Sequence, residues 1–472
     1  MPRLTIDGRP VEVKEGATIL EAAGLLGITI PRFCHHPALP PAGSCRMCVV
    51  EIEGSPKLAT SCSTPAAEGM KVSTSSPAVK AARRDVLEFL LLNHPLDCPI
   101  CDQAGECSLQ DYYMEHSCAK SRFPAELKEP RQKRRLIGPH LVLDNERCVL
   151  CTRCVRFCDE VTRTSELFVS GRSDASFIDI REGKALDNGY SLNLADICPV
   201  GALTSREFRF RQRAWFLEKT PVTCLGCATG CRAEAHHAGG EIYRMVPAPG
   251  AENAWLCDRG RLTYRPLRAG DRLKKGFIKN GYIDLEPAVR EAAARLAGEP
   301  GAAVLGSPWL SVEDNAALAA LARALGTGNY CFSFTAESGI KDGILVNKDP
   351  APNTAGAAEA APTGGLDLGE LNRRIAAGEI KALITEARAA AFIKGRLPDG
   401  FKLIVFATNR SEIPAGAYAT LPYASYFETP GTFVNYQGRR GVTGPVVPPP
   451  EGVPPLAETA AALAAALKGD GA

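Results

Sequence analysis

Apolar and polar positions alternate at the start of the chain. The segments LTIDG and VEVKEG, joined at Gly8-Arg9-Pro10, predict a β-hairpin. The spacing then changes to that of a helix in TILEAAGLLGI, and again in AVKAARRDVLEFLLLN (78–93), where no Pro or Gly interrupts it before His94-Pro95. HLVLD, CRAEAHH and EIYRMV read as short strands. Beyond residue 270, GAAVLGSPWLSVEDNAALAALARALGTG predicts strand, loop and helix. IKALITEA and FKLIVFATN predict buried parallel strands, so this region is expected to be α/β. Residues 119–138 predict a solvated basic linker, with a docking strap for an acidic partner as the sharper reading. Residues 349–366 predict a flexible surface loop. Pro445–Pro455 is a proline-rich spacer before an alanine-rich terminal helix.

Composition narrows the class. A chain of 472 residues should hold about three domains. A net charge of +2 gives no reason to expect nucleic acid as a partner. The longest apolar runs fall short of the roughly 18 residues a membrane helix needs, and the polar N-terminus does not read as a signal peptide. The expectation is a soluble, intracellular protein that meets a membrane only through partners. Of 18 cysteines, 17 precede residue 258, which in an intracellular chain points to metal sites rather than disulfides.

The cysteines fall into four sets. Cys34, Cys45, Cys48 and Cys62, spaced C-x10-C-x2-C-x13-C, follow a hairpin and helix and run into the strand CVVEIEG. This is the plan of a β-grasp plant-type ferredoxin holding [2Fe–2S], with ten residues where the usual loop has about four. Zinc patterns usually pair two C-x2-C units, and only one is present here. In HPLDCPICDQAGEC, His94, Cys98, Cys101 and Cys107 stand among prolines that exclude smooth helix or strand. Cys3His also suits zinc, although a lone zinc between redox clusters would interrupt electron flow. Cys148, Cys151 and Cys154 have C-x2-C-x2-C spacing, and Cys198 in DICPVGAL supplies the fourth ligand of one [4Fe–4S] cluster. Cys224, Cys227, Cys231 and Cys257 form the last set, closed by CDRGR. Cys118, Cys158 and Cys331 read as buried hydrophobes, and His35 and His36 as loop hydrogen-bonders. His116, His236 and His237 show no metal pairing pattern. Arg153 and Arg156 either offset thiolate charge or face solvent.

In this order the sets resemble the family of large iron–sulfur subunits of NADH:quinone oxidoreductase (complex I). The match extends to the x10 loop and the His94/Cys98/Cys101/Cys107 site, which is similar to that family's His-ligated [4Fe–4S] site. Cys224–Cys257 resembles an additional [4Fe–4S] site shared with molybdopterin oxidoreductases, and FETPGTFVNYQGRRG (427–441) matches a motif of those enzymes. The resemblance implies an α+β multidomain fold: a β-grasp [2Fe–2S] domain, an α+β cluster-binding region and a C-terminal α/β molybdopterin-oxidoreductase-like domain. The implied divisions are 1–78, 79–118, 119–215, 216–270 and 271–472. It also implies one [2Fe–2S] and three [4Fe–4S] clusters, a separate NADH-oxidising FMN subunit with other peripheral-arm subunits as partners, and a peripheral place on the cytoplasmic side of a prokaryotic plasma membrane. No nucleotide motif appears here, so the chain would relay electrons towards quinone without a complete active site. Arg259 stands where catalytic molybdopterin enzymes have Lys, and only about 200 residues follow. A truncated remnant without molybdopterin is expected. The rival readings are the iron–sulfur subunit of a soluble NAD-linked hydrogenase or formate dehydrogenase, a catalytic reductase, and a zinc-rich scaffold.

Overall fold

The alternating N-terminus folds as its pattern predicts. β1 (Arg3–Ile6) pairs antiparallel with β2 (Arg9–Glu12), turning at Asp7-Gly8, and buries Leu4 and Ile6. α1 (Ile19–Leu25) starts at a capping box in which Thr18 and Glu21 satisfy each other's backbone N–H. β3 (Val49–Ile52), β4 (Ala59–Thr60) and β5 (Lys71–Ser73) complete a five-stranded sheet ordered β2-β1-β5-β3-β4. Ile19, Ala22, Ala23, Val50 and Val72 form the core between sheet and helix.

This computed structural model describes all residues except 118–120, 280, 300, 333–340 and 470–472. The chain divides into two compact units, Met1–Leu217 and Glu218–Ala472.

In the first unit, α2 (Pro77–Leu91) has Ser76 as N-cap and Pro77 in its first turn, a start its backbone tolerates without loss. After the second cysteine set comes α3 (Ser108–His116). A three-stranded sheet follows, built from β6 (Arg135–Leu136), β7 (Leu141–Leu143) and a later strand. Then come α4 (Arg153–Arg156), the hairpin β8 (Leu167–Ser170) and β9 (Phe177–Ile180), α5 (Asn193–Ile197) and β10 (Leu203–Ser205), which closes the sheet beside β7.

The described part of the basic connector is largely exposed, as a solvated linker should be, but several of its charges are paired within its own unit. Lys128 Nζ donates to the carbonyls of Leu91 and Leu92 at the end of α2, where the helix dipole favours a cation. Arg122 pairs with Asp85 and Glu88, Lys133 with Asp97 and Glu146, and Arg131 holds the carbonyls of Asp174 and Ser176.

The second unit opens with an antiparallel sheet, β11 (Glu218–Thr223), β12 (Arg232–Ala238) and β13 (Glu241–Pro247), followed by the short helices α6 (Asp258–Arg261) and α7 (Arg265–Arg268). The α/β part contains β14 (Gly276–Ile278), β15 (Gly281–Ile283), α8 (Leu285–Leu296), β16 (Ala302–Leu305), α9 (Val312–Ala324), β17 (Tyr330–Cys331), α10 (Thr354–Ala360) and α11 (Leu368–Ala376). It continues with β18 (Ala382–Glu386), α12 (Ala387–Ala390), β19 (Lys402–Ala407) and β20 (Ala417–Pro422). The seven strands run β15-β14-β20-β19-β18-β16-β17, parallel from β20 to β17. The hairpin β21 (Gly431–Val434) and β22 (Arg440–Thr443) and the terminal helix α13 (Leu456–Lys468) complete it, with α13 packed on α8 and α9. Part of the loop expected at 349–366 is instead α10. Buried Asn353 anchors it, donating to Leu310 O (2.7 Å) and accepting from Val434 N (2.7 Å), and small residues such as Ala357 fit against α9. Among the described residues no helix is long and apolar enough to cross a membrane.

His236 on β12 makes this unit acid-sensitive. Its Nδ1 accepts from Arg244 Nε at 3.0 Å, and burial, with the charges of Arg244, Lys219 and His237, pushes its pKa down to about 3. Glu234, 3.5 Å from Nε2, would favour the charged ring but does not outweigh the burial. The folded pKa lies below the unfolded value of about 6.5. Stability is therefore complete above that value and is lost as pH falls towards the folded pKa. Urea titrations should show the unit about 2 kcal/mol less stable at pH 5 than at pH 6.5, a slope that His236→Phe should flatten.

Candidate metal centres

The first set lies on the loop between α1 and β5. Cys48 leads into β3 and Cys62 follows β4. Cys34 N donates to Cys45 Sγ at 3.5 Å. The Cys34 sulfur also meets Cys62, and Cys62 meets Cys48. These thiol–thiolate hydrogen bonds hold Cys34 far below the thiol range and Cys48 down to about 6, and push Cys45 and Cys62 up. Sulfurs this close together can converge on one metal group once they are deprotonated.

In the second set, α2 delivers His94, the turn Cys98–Ile100 carries Cys98, and Cys107 stands at the N-cap of α3. Burial raises Cys101 and lifts Cys107 to about 11. Burial, with the Arg147 and Lys128 charges, pushes His94 down to about 4, so the ring is neutral and able to donate a lone pair. Its Nδ1 is buried without a partner. Arg213 fixes the loop by donating to Cys101 O (2.7 Å) and Pro99 O.

The third set wraps tightly. Cys148, Cys151 and Cys154 come from a segment in which Leu150 and Thr152 adopt φ of 51° and 57°, an uncommon conformation for such side chains. Cys198 ends α5 and completes one apolar cavity that all four cysteines line with Leu143, Ile178 and Leu203. Burial lifts Cys148 to about 12 and Cys151 to about 11, and raises Cys154 and Cys198. Cys158 does not line this cavity. It is fully buried in the π-turn after α4, and burial together with Glu166 pushes its thiol up.

In the second unit, Cys224 ends the first sheet strand and its N–H donates to Cys231 O at 2.8 Å. Cys257 caps α6, its sulfur accepting from Gly260 N at 3.3 Å, and Asn253 Nδ2 donates to Cys231 Sγ at 3.7 Å. Burial raises Cys224, Cys231 (to about 12) and Cys257. The 427–441 motif packs onto this loop: Tyr436 N donates to Ala228 O (3.0 Å) and Asn435 Nδ2 to Thr229 O (3.2 Å). Arg259 ties Gly226 O to Pro350 O.

Several positions that serve these centres escaped sequence reasoning. A Cβ on Gly201 would stand 2.3 Å from Cys101 Sγ, and one on Gly260 would stand 2.6 Å from Cys224 Sγ and 3.3 Å from Cys257 Sγ. Both glycines lie three residues after a cysteine (Cys198 and Cys257), a spacing that could have flagged them. Arg147, beside Cys148, is buried, donates to Asp97 (2.8 Å) and lies 3.6 Å from Asp144. Of the remaining residues, Cys331 is fully buried, His36 Nδ1 accepts from Ala38 N at 3.2 Å, and Cys118 lies outside the described residues. Arg153 and Arg156, expected either to offset charge or to face solvent, reach backbone carbonyls of other loops.

Iron–sulfur clusters fit these residues. The candidate donors are thiols, which bind metal as thiolates, and one imidazole; the His94 Nδ1 lacks a protein partner, and glycines keep the sulfurs' surroundings free of side chains. Among the described residues, no three His, Cys, Asp or Glu side chains are grouped as a site for one metal ion.

Three family models match the first unit: a 2Fe-2S iron-sulfur cluster binding domain over 2–77, an NADH-ubiquinone oxidoreductase-G iron-sulfur binding region over 83–122, and the ferredoxin-like domain of NADH-quinone oxidoreductase subunit 3 over 138–204. The G subunit of the Streptomyces coelicolor NADH-quinone oxidoreductase is 41% identical over 340 residues, 70% of this chain and 40% of that protein. The chain is similar to NADH-quinone oxidoreductase G subunits, and its first unit carries the iron–sulfur regions that their models describe. It is also 39% identical over 337 residues to the NADPH-Fe(3+) oxidoreductase subunit alpha of Geobacter sulfurreducens, again 70% of this chain and 40% of the relative. The chain thus spans about two fifths of the length of these two relatives. A solved NAD+-reducing [NiFe]-hydrogenase is 33% identical over 45% of this chain and 90% of that chain, with a TM-score of 0.40. The matched models bring a ferredoxin-like [2Fe–2S] domain and both 2Fe-2S and 4Fe-4S cluster types.

Proposed function

We propose that this chain is an electron-transfer subunit of an NADH:quinone oxidoreductase, fed by a separate FMN-containing flavoprotein and passing electrons towards quinone with other peripheral-arm subunits. Cys34, Cys45, Cys48 and Cys62 hold one [2Fe–2S] cluster. His94/Cys98/Cys101/Cys107, Cys148/Cys151/Cys154/Cys198 and Cys224/Cys227/Cys231/Cys257 each hold a [4Fe–4S] cluster. When bound, these groups supply one-electron reduction and oxidation. The chain's own thiols would give up their protons to bind these groups, and its loops orient them and shield most of their surface from water. The domains follow the divisions 1–78, 79–118, 119–215, 216–270 and 271–472, the last a molybdopterin-oxidoreductase-like domain without the cofactor. The protein sits peripherally on the cytoplasmic face of the plasma membrane through its partners.

The observation that carries this reading is the convergence of three donor sets within the first unit. The third set's segment reaches both others: Arg153 and Arg156 extend to the Cys34 loop, while Arg147 extends to Asp97 in the His94 loop. Purified anaerobically, the chain should carry about 14 irons with matching acid-labile sulfide. Stoichiometric zinc or molybdenum in place of iron would overturn the reading. His94→Cys exchanges a neutral imidazole for an anionic thiolate, so one EPR-visible signal alone should move to lower potential. An unchanged spectrum would remove His94 from the ligands.

A second reading, the iron–sulfur subunit of a reductase without a membrane arm, is favoured by the 39% identity to the NADPH-Fe(3+) oxidoreductase subunit. Affinity purification from the native host separates the two. Membrane-arm subunits in the complex support the first, and a compact flavoprotein partner alone supports the second.

A further inference from the structure

Two guanidinium groups on one helical turn join two ligand loops that lie far apart in sequence. Arg153 Nη1 donates to Ile197 O at 2.9 Å, the carbonyl just before Cys198. Its Nη2 donates to His35 O at 2.6 Å, the carbonyl just after Cys34. Arg156, on the same turn, donates to the carbonyls of Cys34 and Pro40. Cys154 stands between the two arginines and belongs to the third set. Each arginine therefore has its fork engaged, and each retains one buried Nε–H without a partner, the kind of donor that cluster sulfurs accept. One guanidinium thus touches the backbone beside Cys34 and beside Cys198, placing its charge next to both sets.

An exposed ion pair on a flexible side chain could be dismissed as worth little. This arrangement differs because the acceptors are backbone carbonyls of the ligand loops themselves, and a planar fork fixes direction as well as distance. A lysine could keep the charge but could not hold two carbonyls in that geometry.

We infer that Arg153 and Arg156 are positioning residues that couple the first and third cysteine sets, clamping the Cys34 loop against the Cys148–Cys154 turn and placing positive charge beside both. The inference rests on the reading of those sets as cluster ligands. Reduction adds negative charge to a cluster, so a fixed cation beside it makes reduction easier, and two clusters sharing one cation shift together.

The test is redox-titrated EPR of the full chain, with iron and sulfide measured on every sample. Arg153→Met should lower the reduced-to-oxidised ratio of both the [2Fe–2S] and the third-set signals about tenfold at a fixed ambient potential, equivalent to about 59 mV for a one-electron couple. The second- and fourth-set signals should stay in place. Arg153→Lys, which keeps the charge, should hold both midpoints but weaken the magnetic interaction between the first- and third-set signals. Arg156→Met provides a second charge deletion should Arg153→Met lose iron, and it should shift the same pair. Full iron content with both midpoints and the coupling unmoved would sink this inference alone. An equal shift of all four signals would also sink it, since that marks general loosening. A wild-type chain without iron would sink the underlying reading instead.

Discussion

Replacing Gly201 with alanine is expected to empty the second set of its iron. The added Cβ would stand 2.3 Å from Cys101 Sγ, 3.3 Å from Gln103 Cβ and 3.6 Å from Arg147 Cδ, in a site that is already buried. Cys101 can relieve the first contact only by turning its sulfur away, because its side chain has one rotatable bond and Arg213 holds its carbonyl. Turning away removes one of the four donors. Total iron should then fall by about four from about 14, with the signal sensitive to His94→Cys lost and the [2Fe–2S] signal retained. Full iron content in Gly201→Ala would show that Cys101 tolerates another rotamer while still serving its set, or that it serves none.

Arg147→Met should bring the largest loss of stability. The side chain is buried and bridges Asp97, on the His94 loop, to Asp144, ahead of the third set. Burial alone would lower its pKa, but the Asp97 hydrogen bond and the charges of Cys101 and Asp144 outweigh this and leave it raised. Asp97 is held below the usual carboxylate range, chiefly by the Arg147 hydrogen bond, whereas burial pushes Asp144 up. Deleting one member of a buried pair leaves an uncompensated charge, at a cost of about 3–5 kcal/mol. The urea midpoint of the first unit, followed by circular dichroism, should fall by about 2 M. Adding Asp144→Asn to the variant should recover part of the loss. An unchanged midpoint would mean that Lys133, already on Asp97 and Glu146, takes over the role.

Legibility varied with the range of the interaction that sets each feature. The hairpin Arg3–Glu12, the helix Pro77–Leu91 and the parallel strands Ala382–Glu386 and Lys402–Ala407 were readable because side-chain period and local caps specify them. The connector is exposed as expected, but the pairing of its charges was not legible, because the partners Glu88, Asp97 and Glu146 are supplied by other segments. Helix Thr354–Ala360 was misread as loop because an alanine- and glycine-rich stretch carries no amphipathic stripe. Its stability comes from Asn353 and from close packing on its neighbours.

The sequence by itself determined which atoms can bind metal. Thiol spacing and a proline-framed histidine are local properties of the chain, and they named the candidate donors before any fold was known. Only the tertiary structure decided what stands between the sets. Arg153 and Arg156 could have faced water, and Gly201 could have been an ordinary turn residue. Each is instead set by contacts between segments many tens of residues apart, such as Arg153 with His35 and Gly201 with Cys101. Spacing along one segment carries no information about such pairs, because they exist only once the sheets and helices have packed.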